Sequence, residues 1–434
     1  MTSHTLRGPV FDELNGMGAN LARFFGNFDV IRSWIERGAS YNFEGADLVA
    51  EHGSRAGLGL IGQLTTDLVT PRNVPLEPAD LERFQEYVRM VVERYDGDAE
   101  LGVEVGHPLF PDCDANGDGA VTEQESLAWA QTHRFHVWEV LKEPVPPPTN
   151  PLPGAAYFSA AEAAAILRAG WEAIREADPG AVVLFGGLAT GHLGLDRATD
   201  YLRSILLEGG DNRFDVLGVG LFGNEPADVA VAAYRGVLDE YELTAPVWVV
   251  QIGTNGGGCG SNSYGGSLEK QAQYVVKSHA LSYAGGADRV FWGDFVSWTD
   301  QWVDCGSSEL GAMWGNYGLL IAQTIESGET ISRRPAAYTY ALMTAKLEGF
   351  TSVEHLDIAG GPTAELFRFT FAERSPVWVL WSSQDSGEAD LSMFFESSTV
   401  TVTPAVVDTE QTEPAPTVQP VTSIPLDLGP VFIE

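Results

Sequence analysis

Continuous apolar runs alternate with amphipathic segments along residues 1–300. Between the runs lie segments of helical periodicity, such as 81–95, 160–177 and 229–242. The runs do not alternate with polar residues, so they predict strands that are buried on both faces. The seven runs are 19–25, 58–64, 136–144, 181–189, 214–222, 247–253 and 289–295. Repeated strand–helix units of this size predict a parallel sheet, and eight of them form a TIM (β/α)8 barrel.

One strand of the eight is missing from this pattern. The run 19–25 has the spacing expected of a second barrel strand. Either the first strand is irregular and lies within residues 1–18, or the chain begins downstream of the natural start. The second alternative would also explain the N-terminal sequence, which has no basic region followed by an apolar region and therefore no visible signal peptide.

After residue 347 the periodicity changes to the alternation of half-buried strands. The strand-like segments are 366–371, 377–383, 391–396, 399–407 and 428–434. They predict a C-terminal antiparallel β-sandwich domain over 348–434, behind a barrel domain over 1–347. The Pro- and Thr-rich stretch from Thr409 to Ser423 is predicted to be a loop.

The composition excludes two classes of partner. Sixty acidic and 25 basic residues give a net charge of −35, which would repel the phosphates of nucleic acid and anionic membranes. No run approaches the ~18 consecutive apolar residues of a membrane helix. We therefore expect no nucleic-acid binding and no membrane span.

The stretch Asp114 to Glu125 matches the twelve-residue loop of the EF-hand. Gly119 permits the sharp turn, and an insertion of about 106–130 carries the loop. The ligands predicted for calcium are Asp114, Asn116, Asp118, Ala120, Thr122 and Glu125. A helix is expected over 123–131, whereas Pro108 and Pro111 disfavour an entering helix, so the motif is half an EF-hand at most. The alternative is a surface turn without metal.

The segment from Trp138 to Pro144, WEVLKEP, resembles the W-E-x-x-N-E-P pattern of clan-A glycoside hydrolases. These are retaining β-glycosidases on TIM barrels, many of which carry a C-terminal β-sandwich, and the similarity spans most of the chain. The resemblance implies that Glu143 stands at the acid/base position of the fourth barrel strand. Lys142 replaces the family's asparagine, which binds the sugar 2-hydroxyl.

Retaining chemistry requires a second carboxylate as nucleophile. The seventh strand of the family ends in a motif such as W-I-T-E-F-G, and here Gln251 occupies the position of the glutamate. An amide is neutral and cannot form the usual ester intermediate. The family's V-H-x-Y motif on the sixth strand is replaced by Val219 to Phe222 as well, with Gly220 in place of the histidine. Because three positions depart together, we interpret the site as naturally degenerate.

Further residues are assigned by the same resemblance. The residues implied in substrate binding are Arg23, Glu139, Lys142, Phe222 and Trp292. Asp294 and Glu225 lie near predicted strand ends and could replace the lost carboxylate. Glu143 could instead form an ion pair with Lys142 or Arg23 and only hold the barrel together. Cys259 and Cys305 lie in loops that a barrel places side by side, so they form either a disulfide or two unpaired thiols.

Three functions are compatible with these residues. The leading hypothesis is a catalytically inactive pseudo-glycosidase with a structural calcium site, which binds glycan or has a structural or assembly role. The first alternative is an active β-glycosidase that uses Glu143 and a displaced second carboxylate. The second is an extracellular surface or filament subunit that self-assembles and binds no sugar. A calcium site of millimolar affinity indicates an extracellular or cell-surface location.

Overall fold

The computed structural model describes most of the 434 residues. The described ranges are 7–24, 43–64, 76–98, 113–146, 157–221, 226–256, 266–293, 295–298, 317–325, 328–358, 364–384, 386–407 and 414–434. Contacts divide the chain into two compact units. The first unit comprises Met1–Asn15, Ala19–Gly220 and Ala233–Val250, and the second comprises Gly16–Gly18, Leu221–Ala232 and Gln251–Glu434.

Seven strands form one sheet in the order of the sequence, which confirms the seven predicted strands. They are β1 (Leu21–Phe24), β2 (Gly59–Leu64), β3 (Val137–Val140), β4 (Val182–Ala189), β5 (Val216–Leu221), β6 (Val247–Ile252) and β7 (Arg289–Trp292). The pairs from β1 to β5 are parallel. The register places Gln63 beside Glu139, so polar side chains near the carboxyl ends of β2 and β3 become neighbours.

Helices fill the intervals between these strands, as the periodicity predicts. In chain order they are α1 (Arg7–Gly16), α2 (Glu44–Arg55), α3 (Pro78–Tyr95), α4 (Glu123–Thr132), α5 (Ala160–Ala177), α6 (Thr190–Leu193), α7 (Leu195–Ile205), α8 (Ala227–Glu240), α9 (Leu268–Ala284) and α10 (Pro335–Leu347), with a π-helical turn at Leu206–Gly210. Local sequence fixes where several begin. Ser159 and Glu162 form a capping box that starts α5, and Glu77 and Asp80 form one that starts α3. None of the helices within the described residues is both long and apolar enough to cross a membrane.

The first barrel strand was expected within residues 1–18 under one of the two alternatives. Residues 7–16 form helix α1 instead, and residues 1–6 lie outside the described part of the chain. Phe11, Leu14 and Met17 are each 1% exposed. Their spacing of three residues matches one face of a helix and not the two-residue repeat of a strand. The sheet therefore has seven described strands, and an eighth remains a prediction.

The second unit carries three smaller sheets. Strands β8 (Val296–Trp298), β9 (Leu320–Ile325) and β10 (Gly328–Arg333) form one of them. The C-terminal strands are β11 (Phe350–Leu356), β12 (Ala364–Phe371), β13 (Val377–Ser382), β14 (Gly387–Ala389), β15 (Thr399–Pro404), β16 (Thr417–Pro420), β17 (Ile424–Leu426) and β18 (Val431–Ile433). They form a six-stranded antiparallel sheet in the order β11-β12-β13-β18-β15-β16 and a two-stranded sheet β14-β17.

Two predictions for the C-terminal region were wrong. The segment 391–396, predicted to be a strand, is a turn closed by a hydrogen bond from Phe394 N to Leu391 O (2.9 Å). Alternate residues of a strand share a face, whereas here Leu391 is fully buried and Met393 is 66% exposed. Strand β16 lies inside the predicted loop Thr409–Ser423. The single proline of the strand, Pro420, is tolerated because β16 is the last strand of its sheet. The domain boundary at 347/348 and the sandwich arrangement remain predictions.

Candidate functional site

Glu139 is the most enclosed carboxylate of the predicted site. It lies on β3, is 0% exposed, and accepts hydrogen bonds from Arg23 Nε and Nη2, both at 2.5 Å. Gln63 Nε2 donates a third bond of 3.3 Å. A buried carboxylate is stable only when a cation and hydrogen-bond donors surround it. Glu139 therefore holds Arg23 in a fixed position, and its oxygens are occupied.

Glycine at position 186 makes this arrangement possible. A Cβ atom on Gly186 would lie 2.2 Å from Glu139 Oε1, closer than any side chain permits. The next residue along β4 is a glycine for another reason, its left-handed backbone. Gly187 has φ +65°, and a Cβ there would lie 3.5 Å from Glu143 Cγ and 3.6 Å from Arg23 Nη2. Glu143 and Arg23 thus lie against the same stretch of β4.

The backbone after β3 is strained where it leads to Glu143. Of three non-glycine residues with positive φ in the described part of the chain, two lie here, Leu141 (61°) and Glu143 (46°). Left-handed backbone is unfavourable for residues with a Cβ, and such strain is concentrated at functional sites. A hydrogen bond from Glu143 N to Gly186 O (3.2 Å) holds the turn. The chain accepts this conformation because neighbouring strands fix it.

The Glu143 side chain is half-buried, and its carboxylate has a different environment from that of Glu139. Among the described residues it forms neither an ion pair nor a hydrogen bond, so the alternative pairing with Lys142 or Arg23 is not observed. Arg23 is engaged by Glu139, and Lys142 is half-buried with contacts of its own. A carboxyl group without an internal partner is able to exchange a proton with a bound molecule.

Gln251 lies on β6 and is 6% exposed. Its amide oxygen Oε1 is buried and has no hydrogen-bond partner among the described residues. Leaving a buried acceptor unsatisfied costs about 1–3 kcal/mol, so the position is unfavourable unless a ligand or water donates to it. The residue belongs to the second unit, whereas Glu143 belongs to the first.

Trp292 and Gly220 are placed by strands β7 and β5. Trp292 is 2% exposed, donates from Nε1 to Tyr317 O (3.0 Å), and contacts the edge of Tyr274. Its surroundings are those of a packing residue, and a role in stacking on sugar remains a prediction. The Gly220 carbonyl accepts a hydrogen bond from Thr190 Oγ1 (3.2 Å).

Several predicted residues lie outside the described part of the chain. They are Phe222, Glu225, Asp294, Cys259 and Cys305. The displaced carboxylate and the disulfide therefore remain predictions. The third cysteine, Cys113, is buried. Gln63 and Gly186, in contrast, belong to the site and were not predicted, although a glutamine within the apolar run GLIGQL indicates a buried polar role.

The loop Asp114–Glu125 is organised by its own side chains. Asp114 accepts hydrogen bonds from the backbone N–H groups of Asp118 (3.1 Å) and Gly119 (2.9 Å). Glu125 reaches back to Asn116 N (3.2 Å), and Gly119 has the φ of +86° that the turn requires. Hydrogen bonds from Thr122 lower the pKa of Glu125. Glu125 also forms a capping box with Thr122 and so starts α4, which confirms the predicted exit helix.

The residues of this loop fit a calcium ion in donor chemistry and turn geometry. Calcium prefers carboxylate, amide and carbonyl oxygens, and these surround the turn. The acidic side chains of the loop do not form a group within 4.8 Å, so the loop would have to close around the ion. Such a group does occur elsewhere among the described residues, at Glu93, Asp96 and Asp98. Burial raises the pKa of Asp96 in that group to about 7.

Helix α4 is anchored to α2 through the carboxylate of Glu51. His133 Nε2 lies 2.7 Å from Glu51 Oε2, and Trp129 Nε1 donates to the same oxygen (3.1 Å). Arg55 contacts the other oxygen. The hydrogen bond from His133 is the main cause that lowers the pKa of Glu51 to about 2. The loop is therefore attached to the first unit by buried side chains at its exit.

Solved structures of glycoside hydrolases resemble this chain. A family 39 glycoside hydrolase from the gut symbiont Bacteroides cellulosilyticus WH2 has a TM-score of 0.63 at 13% identity, over 98% of this chain and 77% of that one. The family 30 xylanase C from Talaromyces cellulolyticus has a TM-score of 0.58 at 11% identity, over 100% and 92%. A family 39 β-xylosidase from Caulobacter crescentus has a TM-score of 0.56 at 13% identity, over 98% and 91%.

Identities this low establish similarity of fold alone. The chain has the α/β barrel-like parallel sheet of these glycoside hydrolases, together with a C-terminal antiparallel sheet. No family model and no curated protein matches the sequence.

Proposed function

We propose that the protein is a glycoside hydrolase-like protein that binds glycan and does not hydrolyse it. The observation that carries this proposal is Gln251, a buried amide whose oxygen has no hydrogen-bond partner among the described residues. The sequence resemblance assigns Gln251 to the position of the family's nucleophile. A glutamine cannot form the glycosyl ester, but it can accept a hydrogen bond from a sugar hydroxyl. A glutamine in place of the nucleophilic glutamate therefore favours binding of the sugar without cleavage of the glycosidic bond.

The Glu143 side supports the same proposal. Its side chain is half-buried, its carboxylate has no partner among the described residues, and it is held on strained backbone beside Arg23. Under the proposal Glu143 accepts hydrogen bonds from sugar hydroxyls, while Arg23, fixed by Glu139, keeps the local charge balanced. Positioning and a general acid remain without the nucleophile, and together they are insufficient for retaining hydrolysis.

The catalytic test uses a panel of aryl β-glycosides. Wild-type protein should release no aryl alcohol above background, and Gln251→Glu alone should add little. The combined variant Gln251→Glu, Lys142→Asn, Gly220→His should be more active than any single change, because groups that act as a unit are strongly non-additive. Robust wild-type hydrolysis that Glu143→Gln abolishes would overturn the proposal and favour an active enzyme with a displaced carboxylate such as Asp294 or Glu225.

The binding test is a glycan array with and without calcium. Retention of a defined glycan by the wild type, reduced at least tenfold by Glu143→Ala, is expected. Glu176→Ala is the matched control, since Glu176 is an exposed carboxylate on α5. Absence of any bound glycan would favour the surface or filament subunit. Sedimentation at several protein concentrations would then detect self-assembly.

We also propose that calcium binds the loop Asp114–Glu125 and stabilises the fold. Asp114, Asn116, Asp118 and Glu125 would hold the ion through side-chain oxygens, and Ala120 would contribute its carbonyl. Bound calcium supplies a fixed positive charge within a strongly acidic protein. The site is structural in this proposal, since the sequence offers one EF-hand loop and the signalling proteins of this type respond through helix pairs of EF-hands. The loop is anchored through Glu51. An extracellular or cell-surface location is consistent with millimolar affinity.

A further inference from the structure

A groove of about 600 Å³ opens in the second unit, and its described lining contains none of the candidate site residues. Edge strand β16 forms one side through Thr417 and Gln419. The loop after β17, with Asp427 and Leu428, forms another side, and Glu269 at the start of α9 closes the rim. The floor includes Val402 of β15, which also belongs to the C-terminal core. The groove thus combines an apolar floor with a polar rim.

Strand β16 presents a free edge beside this groove. Within the described residues, β15 is the strand paired with β16. Val421 N donates to Ser398 O (3.1 Å), and the antiparallel ladder alternates from that pair. Gln419 and Thr417 therefore point their backbone groups towards β15, whereas Val418 points its N–H and C=O away from it. The Val418 side chain is 71% exposed, so this edge is accessible.

The charged side chains among the described residues of the groove are all carboxylates, and its side-chain donors are neutral hydroxyl and amide groups. Its carboxylates are Glu269 and Asp427, and within the described part of the chain no lysine, arginine or histidine lines it. Three lining residues are prolines, which have no backbone N–H. Gly429 N already donates to Asp427 Oδ1 (2.5 Å). Lys277 acts on Asp427 through its charge but does not line the groove. This chemistry fits a ligand that brings a positive charge.

The lining argues against other classes of ligand. No aromatic ring is among the described residues that line the groove, so they offer a sugar no surface for stacking. The carboxylates would repel phosphate and other anions. An extended chain, in contrast, can pair with the outward N–H and C=O of Val418, and every second side chain then faces the groove.

We propose that this groove binds an extended peptide segment of a partner protein that carries a lysine or arginine. The segment adds to β16 as a further strand. Its cationic side chain lies between Glu269 and Asp427, and its apolar side chains cover the groove floor around Val402. The proposal is independent of glycan binding.

The test uses the full chain and a fluorescein-labelled, capped nonapeptide of alternating threonine and valine with one central lysine. A matched peptide has glutamate in place of the lysine. Fluorescence polarisation should show at least tenfold tighter binding of the lysine peptide. The double variant Glu269→Gln, Asp427→Asn, called the charge variant, should lose that preference. Its asparagine keeps an oxygen that can accept the hydrogen bond from Gly429 N.

Strand addition is tested at Val418. Val418→Pro removes the outward N–H, which an edge strand tolerates, and should weaken binding at least tenfold. Val418→Ala keeps the N–H and should bind as the wild type does. Circular dichroism tests whether each variant is folded. If Val418→Pro is unfolded, the proposal is judged from the binding of the charge variant instead.

Three results would overturn the proposal. The first is no binding of the lysine peptide at 1 mM, where a dissociation constant of 1 mM corresponds to a binding free energy of about −4 kcal/mol. The second is equal binding of the two peptides. The third is binding that neither the charge variant nor Val418→Pro weakens. Self-association in sedimentation that Val418→Pro abolishes would assign the groove to a second copy instead. Displacement of the peptide by a xylo-oligosaccharide would assign it to sugar.

Discussion

The buried cluster of Arg23, Gln63 and Glu139 and the exposed loop Asp114–Glu125 are both organised around carboxylate oxygens that accept hydrogen bonds, but they are built differently. In the cluster the bonded residues are 116 and 76 positions apart. In the loop they are two to nine positions apart. The cluster therefore exists only when the strands are assembled, whereas the loop can form from its own segment. We expect changes in the cluster to lower the free energy of unfolding more than changes in the loop do.

The largest expected effect is that of Glu139→Gln. The change leaves the Arg23 guanidinium buried without its carboxylate and should lower the free energy of unfolding by about 3–5 kcal/mol. Urea denaturation measures it. Glu176→Gln breaks the pair with Arg89, whose side chains are 64% and 40% exposed, and should cost less than about 1 kcal/mol. Equal losses in the two variants would contradict the comparison.

Acid should remove the stabilisation that the buried carboxylate of Glu51 provides. The pKa of Glu51 is about 2 in the folded protein and 4.5 in the reference state, so its contribution is complete above pH 4.5 and is lost as the pH falls towards 2. The loss amounts to roughly 3–3.5 kcal/mol, since the pKa differs by about 2.5 units and one unit corresponds to about 1.4 kcal/mol. Denaturation at several pH values should show this slope in the wild type and a flatter one in Glu51→Gln. A slope unchanged in Glu51→Gln would rule out this carboxylate as its source.

Gly186→Ala tests the close approach to Glu139. The added methyl group must displace the carboxylate or the strand, which should cost about 2 kcal/mol. Gly236→Ala is the control, because Gly236 lies in helix α8 with no atom within 4 Å of an added Cβ. That change should stabilise by about 0.5–1 kcal/mol through helix propensity. Thermal unfolding compares the two, and a stabilised Gly186→Ala would show that Glu139 can move freely.

Calcium should give the smallest effect. At about ten times a millimolar dissociation constant, preferential binding to the folded state adds about 1.4 kcal/mol and raises the melting temperature. Asp118→Ala should remove that increment, while Asp98→Ala, in the other acidic group, should retain it. If EDTA leaves the thermal transition of the pure protein unmoved, the loop binds no metal.

The sequence by itself determined the elements whose signals are local. Seven apolar runs became seven strands, the helix over 123–131 followed the loop, and the turn at Gly119 follows from its glycine. Each depends on periodicity or on residues within one turn. Helix α1 and the turn at 391–396 were not predicted, because the periodicity of a short apolar segment does not distinguish a helix or turn from a strand. The burial of Phe11 and Leu391 in the folded protein decided between these structures.

The tertiary structure alone decided which carboxylate is paired and which is left available. Glu139 and Glu143 are four positions apart and have the same side chain. Arg23 and Gln63 converge on Glu139 because parallel strands bring their carboxyl ends together, and Gly186 leaves room for it. The left-handed backbone at Glu143 directs that residue to a different environment. Likewise, only strand order makes β16 an edge, since the end of a sheet depends on neighbours that one segment cannot encode.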